Sequence, residues 1–332
     1  MGLILAFAAV IPGFAAQAGE DSLFGAYKHV YIIGIDGAGR FVKDTDTPEF
    51  DRIFADGAKI YTARAEVKTD SAPNWGAILT GASIIKTGLE NSVTDDNERT
   101  SDTEFPTIFT YARKAFPDCE LASIVNWNNI NSGIIETDVG VNKQTGGTDA
   151  EVVDLITGYF DAGNEPTVFY VQLDEIDHVG HSVGSASDEY YEQITKTDEN
   201  VGKIYDAIER NGLLEDSLFI VAADHGHTNT GGHGGITMRE TQVTIAVTGK
   251  GIKKGGTFDS DTRSRDIAAI ALYALGIERP GNISARIPAN VFENVEGEKR
   301  SFSKDPLDYL ISKIVWPITL LTAIPDMISG KQ

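Results

Sequence analysis

Five of the six histidines, His178, His181, His225, His227 and His233, fall within 56 residues, with acids beside them in Asp177-His178-Val179-Gly180-His181 and Asp224-His225. Imidazole nitrogens and carboxylate oxygens bind Zn2+ and similar transition ions directly. Asp36, Asp177, His181, Asp224, His225 and His233 make six candidate ligands, too many for one tetrahedral ion and right for two ions with three protein ligands each. Asp177 and His181, four apart, meet one ion if the chain turns at Gly180. Asp224 and His225 reach a second ion together or bridge towards the first. Glycines between His225 and Gly235 let the backbone fold close around an ion. Taken singly, each acid reads as a cap or turn former and each histidine as a hydrogen-bonded surface or core residue; the clustering carries the metal reading. His178 and His227 lie next to better-placed candidates and read as supporting or substrate-facing at most.

The nucleophile candidate is Ser71, in Thr69-Asp70-Ser71-Ala72-Pro73-Asn74. Pro73 suits a first helical turn and Gly81 a helix end, which predicts a short apolar helix with Ser71 at its N-terminus. Free N–H groups and the helix dipole there favour an anion such as phosphate, and a nearby metal would lower the hydroxyl pKa. Asn74 is expected to donate a side-chain hydrogen bond to a non-bridging oxygen. The competing reading is that Ser71 is only an N-cap.

These residues need a scaffold that gathers them. Apolar runs His29–Ile35, Cys119–Trp127, Pro166–Leu173, Leu218–Ala223 and Gln242–Thr248 read as strands. They are interspersed with helical patterns over Thr107–Phe116, Ala150–Phe160, Ser187–Asn211 and Arg265–Leu275. Continuous hydrophobic strands separated by helices predict an α/β fold, a doubly wound and mostly parallel sheet with helices on both faces. In such sheets ligands bind beyond the carboxyl ends of the strands, and Asp36, Asp174 to His181, and Asp224-His225 each follow one. Leu89–Phe105 and Asn126–Gly147 read as loops near that face.

The set Asp36-Gly37, Ser71-Ala72-Pro73-Asn74 with Thr80-Gly81, Asp177-x-x-Gly180-His181, Asp224-His225-Gly226 and His233 resembles the alkaline phosphatase superfamily, most closely its type I phosphodiesterase/nucleotide pyrophosphatase branch. The resemblance implies two Zn2+ ions, with Mn2+ or another divalent ion as substitute. Asp177, His181 and His233 would hold one; Asp36, Asp224 and His225 would hold the other, with Ser71 beside it. It implies in-line attack by Ser71 on phosphorus, a covalent phosphoseryl-type intermediate, and its hydrolysis by water, with Asn74 helping to hold the oxyanion. The branch commonly carries Thr where Ser71 stands and often His at the position of Trp75. A phosphomonoesterase therefore remains an alternative, as does phosphotransfer to an alcohol acceptor. Lys68 and Lys86 are the local candidates for the extra positive charge that a monoester needs.

With 28 Lys+Arg against 49 Asp+Glu, the net charge of −21 excludes a nucleic-acid polymer as the main partner and leaves a small phosphate ester. The single cysteine, Cys119, excludes an intramolecular disulfide framework. Residues 26–295 read as one catalytic domain. Within residues 1–18, Leu3 to Ala18 is apolar and closes on Ala16-Gln17-Ala18, which reads as a signal peptide and an extracytoplasmic or secreted location, although no Lys or Arg precedes Lys28; a buried N-terminal helix is the alternative. The apolar C-terminal segment 305–332 is interrupted by Lys313, Pro317 and Pro325. It reads either as a membrane-surface contact or as a segment packing back on the domain or on a second subunit.

Overall fold

The computed structural model describes residues 23–322, so the expected signal peptide lies outside the described residues, as do positions 323–332. Seven strands form one sheet: β1 His29–Ile35, β2 Ala58–Arg64, β3 Leu121–Val125, β4 Asn142–Thr145, β5 Val168–Leu173, β6 Ser217–Ala222 and β7 Gln242–Thr248. Their order across the sheet is β2-β7-β6-β1-β5-β3-β4. From β6 to β4 all neighbours are parallel, while β7 runs against both β6 and β2. The main helices are α1 Ser71–Thr80, α2 Asn91–Asp96, α3 Ile108–Ala115, α4 Asp149–Asp161, α5 Glu175–Val183, α6 Asp188–Arg210, α7 Asp266–Ala274 and α8 Pro306–Thr322. The chain thus adopts the expected α/β architecture with a mostly parallel sheet.

Strands β1, β5 and β6 are buried at every position. Covered on both faces, they carry continuous apolar runs instead of alternating ones, and each fully buried Val, Leu or Ile there contributes about 1.5–3 kcal/mol. Caps fix where the helices begin. Thr148 accepts from the Glu151 N–H at the start of α4, and Ser187 accepts from the Tyr190 N–H at the start of α6. Helix α1 stops at Gly81, whose φ of 70° is the left-handed conformation that ends helices without a Cβ clash.

Two strands are absent from the sequence reading, and both are edges. In β2 buried and partly exposed positions interchange, and β4 is the polar stretch Asn-Lys-Gln-Thr, only half buried. An edge strand has one covered side and needs no apolar run. The segment Asn126–Gly147, expected as loop, holds β4 and one turn of π-helix, Ile130–Ile134; α2 lies inside the expected loop Leu89–Phe105. Among the described residues no helix is long and apolar enough to cross a membrane.

Candidate active site

The three adjacent strands β6, β1 and β5 end side by side, and their carboxyl ends deliver the chemistry. Asp36 directly follows β1, Asp224 and His225 lie just beyond β6, and β5 leads into α5, which carries Asp177 and His181. Asp177 and His181 come together by helical spacing and not by a turn, because α5 continues unbroken through Gly180. That corrects the expected turn at Gly180. The glycine instead makes room, since a Cβ there would meet the His227 ring at 2.4 Å.

Four groups of donor atoms lie within 4.8 Å among the described residues, and two of them are the expected sets, Asp177, His181 and His233, and Asp36, Asp224 and His225; the others are Asp177, His225 and His227, and Asp36, Asp174 and Asp177. In the first, His181 Nε2 lies 3.3 Å from Asp177 Oδ2 and 3.1 Å from His233 Nε2. In the second, His225 Nε2 lies 3.4 Å from Asp36 Oδ1 and 3.3 Å from Asp224 Oδ2. All six expected ligands are therefore gathered, in the two expected groups. Asp177 Oδ1, 3.9 Å from His225 Nε2, links the groups.

The donor set suits cations on two counts. Asp36 Oδ1 and Asp224 Oδ2 are buried and accept no hydrogen bond among the described residues, and a buried anionic oxygen without a partner is costly. Burial and the neighbouring Asp224 push the Asp36 carboxyl well above the ordinary range. Burial likewise raises Asp224, with the charge of Asp177 adding to it, and burial with nearby His233 holds the His225 imidazole well below its usual value. A divalent ion would relieve all three conditions. Burial also pushes Asp177 up, but hydrogen bonds from His181 and His227 and the nearby His225 outweigh it and hold that carboxyl low.

Supporting contacts fix these side chains. Trp75 Nε1 and Gln172 Nε2 donate to Asp36 Oδ2 at 2.7 and 2.9 Å, so that Oδ1 is the free oxygen. Trp75 is fully buried, which agrees with the core reading of its ring, and its indole lies where a Cβ on Gly34 would stand. The Gly37 N–H donates to Asp224 Oδ1 at 3.1 Å. His227 is buried with Nε2 2.9 Å from Asp177 Oδ1, whereas His178 is exposed and pairs with Asp174 at 3.1 Å. His233 Nδ1 lies 2.7 Å from the Thr69 carbonyl, which orients its Nε2 towards the cluster.

Ser71 is the first residue of α1, with Asp70 in the N-cap position, so it is not the cap. Its Oγ lies 3.2 Å from His225 Nε2, against the second cluster. Asn74 requires a correction. Its side chain is fully buried, with Oδ1 accepting from the Glu66 N–H at 2.7 Å and Nδ2 donating to the Asp70 and Lys68 carbonyls at 2.8 and 3.2 Å. It braces the turn before Ser71 and cannot also reach a substrate oxygen. A residue that the sequence reading passed over stands closer to that task. Asn91 Oδ1 accepts from the Ala72 N–H at 2.9 Å, leaving its NH2 group, with no acceptor among the described residues, beside the residue that follows Ser71. Nothing in the polar run around Asn91 sets it apart in sequence. Of the two lysines, Lys68 is neutralised by Asp70 at 2.6 Å, and Lys86 is tied to the Asn282 and Lys304 carbonyls.

Comparison with known proteins gives the family and the fold. The profile of the type I phosphodiesterase / nucleotide pyrophosphatase family fits residues 30–244. GPI ethanolamine phosphate transferase 1 of Candida glabrata is 28% identical over 149 residues, 40% of this chain and 16% of that protein. Its counterpart in Yarrowia lipolytica is 28% identical over 160 residues, 42% of this chain and 17% of that protein. The match thus spans about a sixth of those relatives' length. Among solved structures, murine ectonucleotide pyrophosphatase / phosphodiesterase 5 in complex with AMP superposes with a TM-score of 0.66 at 15% identity, covering 77% of this chain and 97% of that one. The lipoteichoic acid synthase LtaP from Listeria monocytogenes gives 0.55 at 14% identity, covering 77% and 74%. The chain belongs to the type I phosphodiesterase / nucleotide pyrophosphatase family of the alkaline phosphatase superfamily.

Proposed function

We propose that this protein cleaves phosphodiester or pyrophosphate bonds with Ser71 as nucleophile, residues 26–295 forming the catalytic unit. The observation that carries the reading is Ser71 Oγ at 3.2 Å from His225 Nε2, at a helix N-terminus and against the cluster that contains the orphaned oxygens of Asp36 and Asp224. Asp177, His181 and His233 would hold one divalent ion, Zn2+ by donor type, and Asp36, Asp224 and His225 the other. Such ions supply positive charge that favours the serine alkoxide and screens the phosphate oxygens. The residues do the rest. Ser71 Oγ, its proton released to solvent, forms a bond to phosphorus as the bond to the leaving oxygen breaks, and that oxygen takes the electron pair. The Asn91 NH2 group is placed to donate to a non-bridging oxygen, held in orientation by Ala72.

A diester carries one negative charge at the phosphate and a monoester two. Lys68 and Lys86, the candidates for the extra charge of a monoester site, are engaged elsewhere, by Asp70 and by backbone carbonyls, which supports the diester. The phosphoseryl-type intermediate can pass to water or to an alcohol. The similarity to ethanolamine phosphate transferases favours the alcohol as a second reading. The apolar Leu3–Ala18 stretch supports an extracytoplasmic setting for either reaction.

The test is kcat/KM for an aryl phosphodiester against the matching monoester on zinc-loaded protein. The diester is expected to lead by about tenfold or more, a difference of roughly 1.4 kcal/mol, with Ser71→Ala losing about a thousandfold. Added alcohols partition the products between hydrolysis and transfer. A monoester preference that survives in Ser71→Ala would refute both the nucleophile and the substrate class.

A further inference from the structure

Helix α8 turns two polar side chains to the domain: Asp308 pairs with Arg263 and, at 2.9 Å, with Arg265, and Thr319 Oγ1 donates to the Ile236 carbonyl at 2.9 Å. Val315 and Trp316 are half-buried, with the Arg64 guanidinium over the Trp316 ring, but a row of apolar side chains faces outward. Leu307, Leu310, Ile314, Ile318 and Leu321 follow one another at steps of three and four residues, one stripe along the helix, and are between 45% and 65% exposed. A helix whose outer surface is water buries the opposite set.

Beside the stripe, α8 borders a cavity of about 740 Å3. Six cations line it, Arg64, Arg263, Arg286, Lys299, Arg300 and Lys313, against the acids Asp259, Asp261 and Glu298. The arginines are paired, Arg263 with Asp308, Arg286 with Asp259, Arg300 with Asp261 and Asp266 and Arg64 with Asp261, so the positive charge open to a ligand is that of the exposed Lys299 and Lys313 together with the Nε–H groups of the buried arginines. Arg263 and Arg286 are 3% and 5% exposed, and their Nε–H groups have no acceptor among the described residues. Leu320 and Pro317 line the cavity and are themselves exposed, so the basic cavity opens onto the apolar face of α8.

We propose that this cavity seats the phosphate-bearing headgroup of an anionic phospholipid while the α8 stripe lies among the acyl chains of the same leaflet. Arginine forks recognise phosphate oxygens, and an apolar helix face beside cations is the makeup of interfacial binding. Charge complementarity selects this occupant over a second copy of the chain, which would bring the same basic cavity against itself or against a predominantly acidic surface without acyl chains. The overall negative charge is repelled by an anionic membrane and orients the molecule with this apolar face, flanked by Lys299 and Lys313, towards it. The inference stands apart from the Ser71 chemistry and fails or holds independently of it.

The test uses the full chain in co-sedimentation with vesicles of phosphatidylcholine alone and of phosphatidylcholine with phosphatidylserine. Wild type is expected to sediment with the second and not the first, and to be released by salt. The exposed-site variants Ile314→Glu/Ile318→Glu and Lys299→Gln/Lys313→Gln should each weaken binding about tenfold or more while retaining wild-type diesterase activity. Inorganic phosphate in excess should compete only partially, because it cannot replace the acyl contact. Equal sedimentation with both vesicle types, or with neither, overturns the proposal. It is also overturned if sedimentation velocity shows a wild-type dimer that the glutamate pair dissolves, which would assign the stripe to a second copy.

Discussion

The Trp75 indole donates to Asp36 Oδ2 at 2.7 Å from one helical turn beyond Ser71, so a single helix presents the candidate nucleophile and orients a candidate metal ligand. Trp75→Phe keeps an aromatic ring against Gly34 and deletes the donor, leaving Gln172 alone on that oxygen. Affinity for Zn2+ should fall about 10–100-fold, and stability by roughly 1.5–3 kcal/mol, the usual worth of a hydrogen bond to a charged group. Chelator competition and thermal unfolding measure the two effects. Unchanged affinity would mean that the indole packs against Asp36 without directing it.

Asp36 and Asp224 are a buried, mutually repelling pair, which sets the sign of two linked effects. Burial and neighbouring acids raise both carboxyls above their ordinary 3.8 in the folded, metal-free protein. The folded state then binds more protons than the unfolded one, and metal-free stability should fall as pH rises above about 4. Zinc should abolish that fall and, at a hundred times its Kd, add about 2.7 kcal/mol. Asp224→Asn removes one of the two charges. After treatment with EDTA the variant should melt above the metal-free parent, and added zinc should raise its Tm far less. A variant that is less stable than the parent without metal and equally stabilised by zinc would remove Asp224 from the ligand set.

The centre of this fold is legible in the sequence because the centre is where burial and chemistry coincide. Strands β1, β5 and β6 are apolar at nearly every position, being covered on both faces, and their ends are marked by Asp and His that a core strand cannot hold. The edges are illegible for the same reason: β2 and β4 need no apolar run. At the site, residue type singles out the six candidate ligands and the family resemblance implies the two groups in which the structure gathers them, but neither says which way an amide points. Asn74 sits three residues after Ser71 and turns inward to brace Glu66 and Asp70; Asn91, twenty residues on, comes back through the contact of α2 with α1. Hydrogen bonds between distant segments decide that difference, and no local pattern encodes them.

A chain of charges and hydrogen bonds joins α8 to α1, the helix that begins at Ser71. Asp308 pairs with Arg263 and Arg265; Arg265 donates to Glu66 Oε1 at 2.6 Å; and the Glu66 N–H donates to Asn74 Oδ1 at 2.7 Å, three residues from Ser71. Burial raises the Asp308 carboxyl, but Arg265 and Arg263 outweigh it and bring it down to about 2. A depressed carboxylate stabilises the fold at pH values above its ordinary 3.8, and the contribution is lost as pH falls through about 2. The shift is worth roughly 2 kcal/mol. Asp308→Asn keeps the side-chain shape and removes the charge, leaving Arg265 with Glu66 and Asp305 and Arg263 without its carboxylate partner. At neutral pH the variant should lose about that much stability, and the difference from wild type should vanish near pH 2 in any measurement where both remain folded enough to compare. Hydrogen exchange locates the effect. Protection should fall across α8 and, to a smaller degree, at Glu66 and the first turn of α1, because the arginine that links them has lost part of its anchoring charge. Exchange that rises in α8 alone would show that the helix is held by Asp308 but that the chain of charges stops at Arg265.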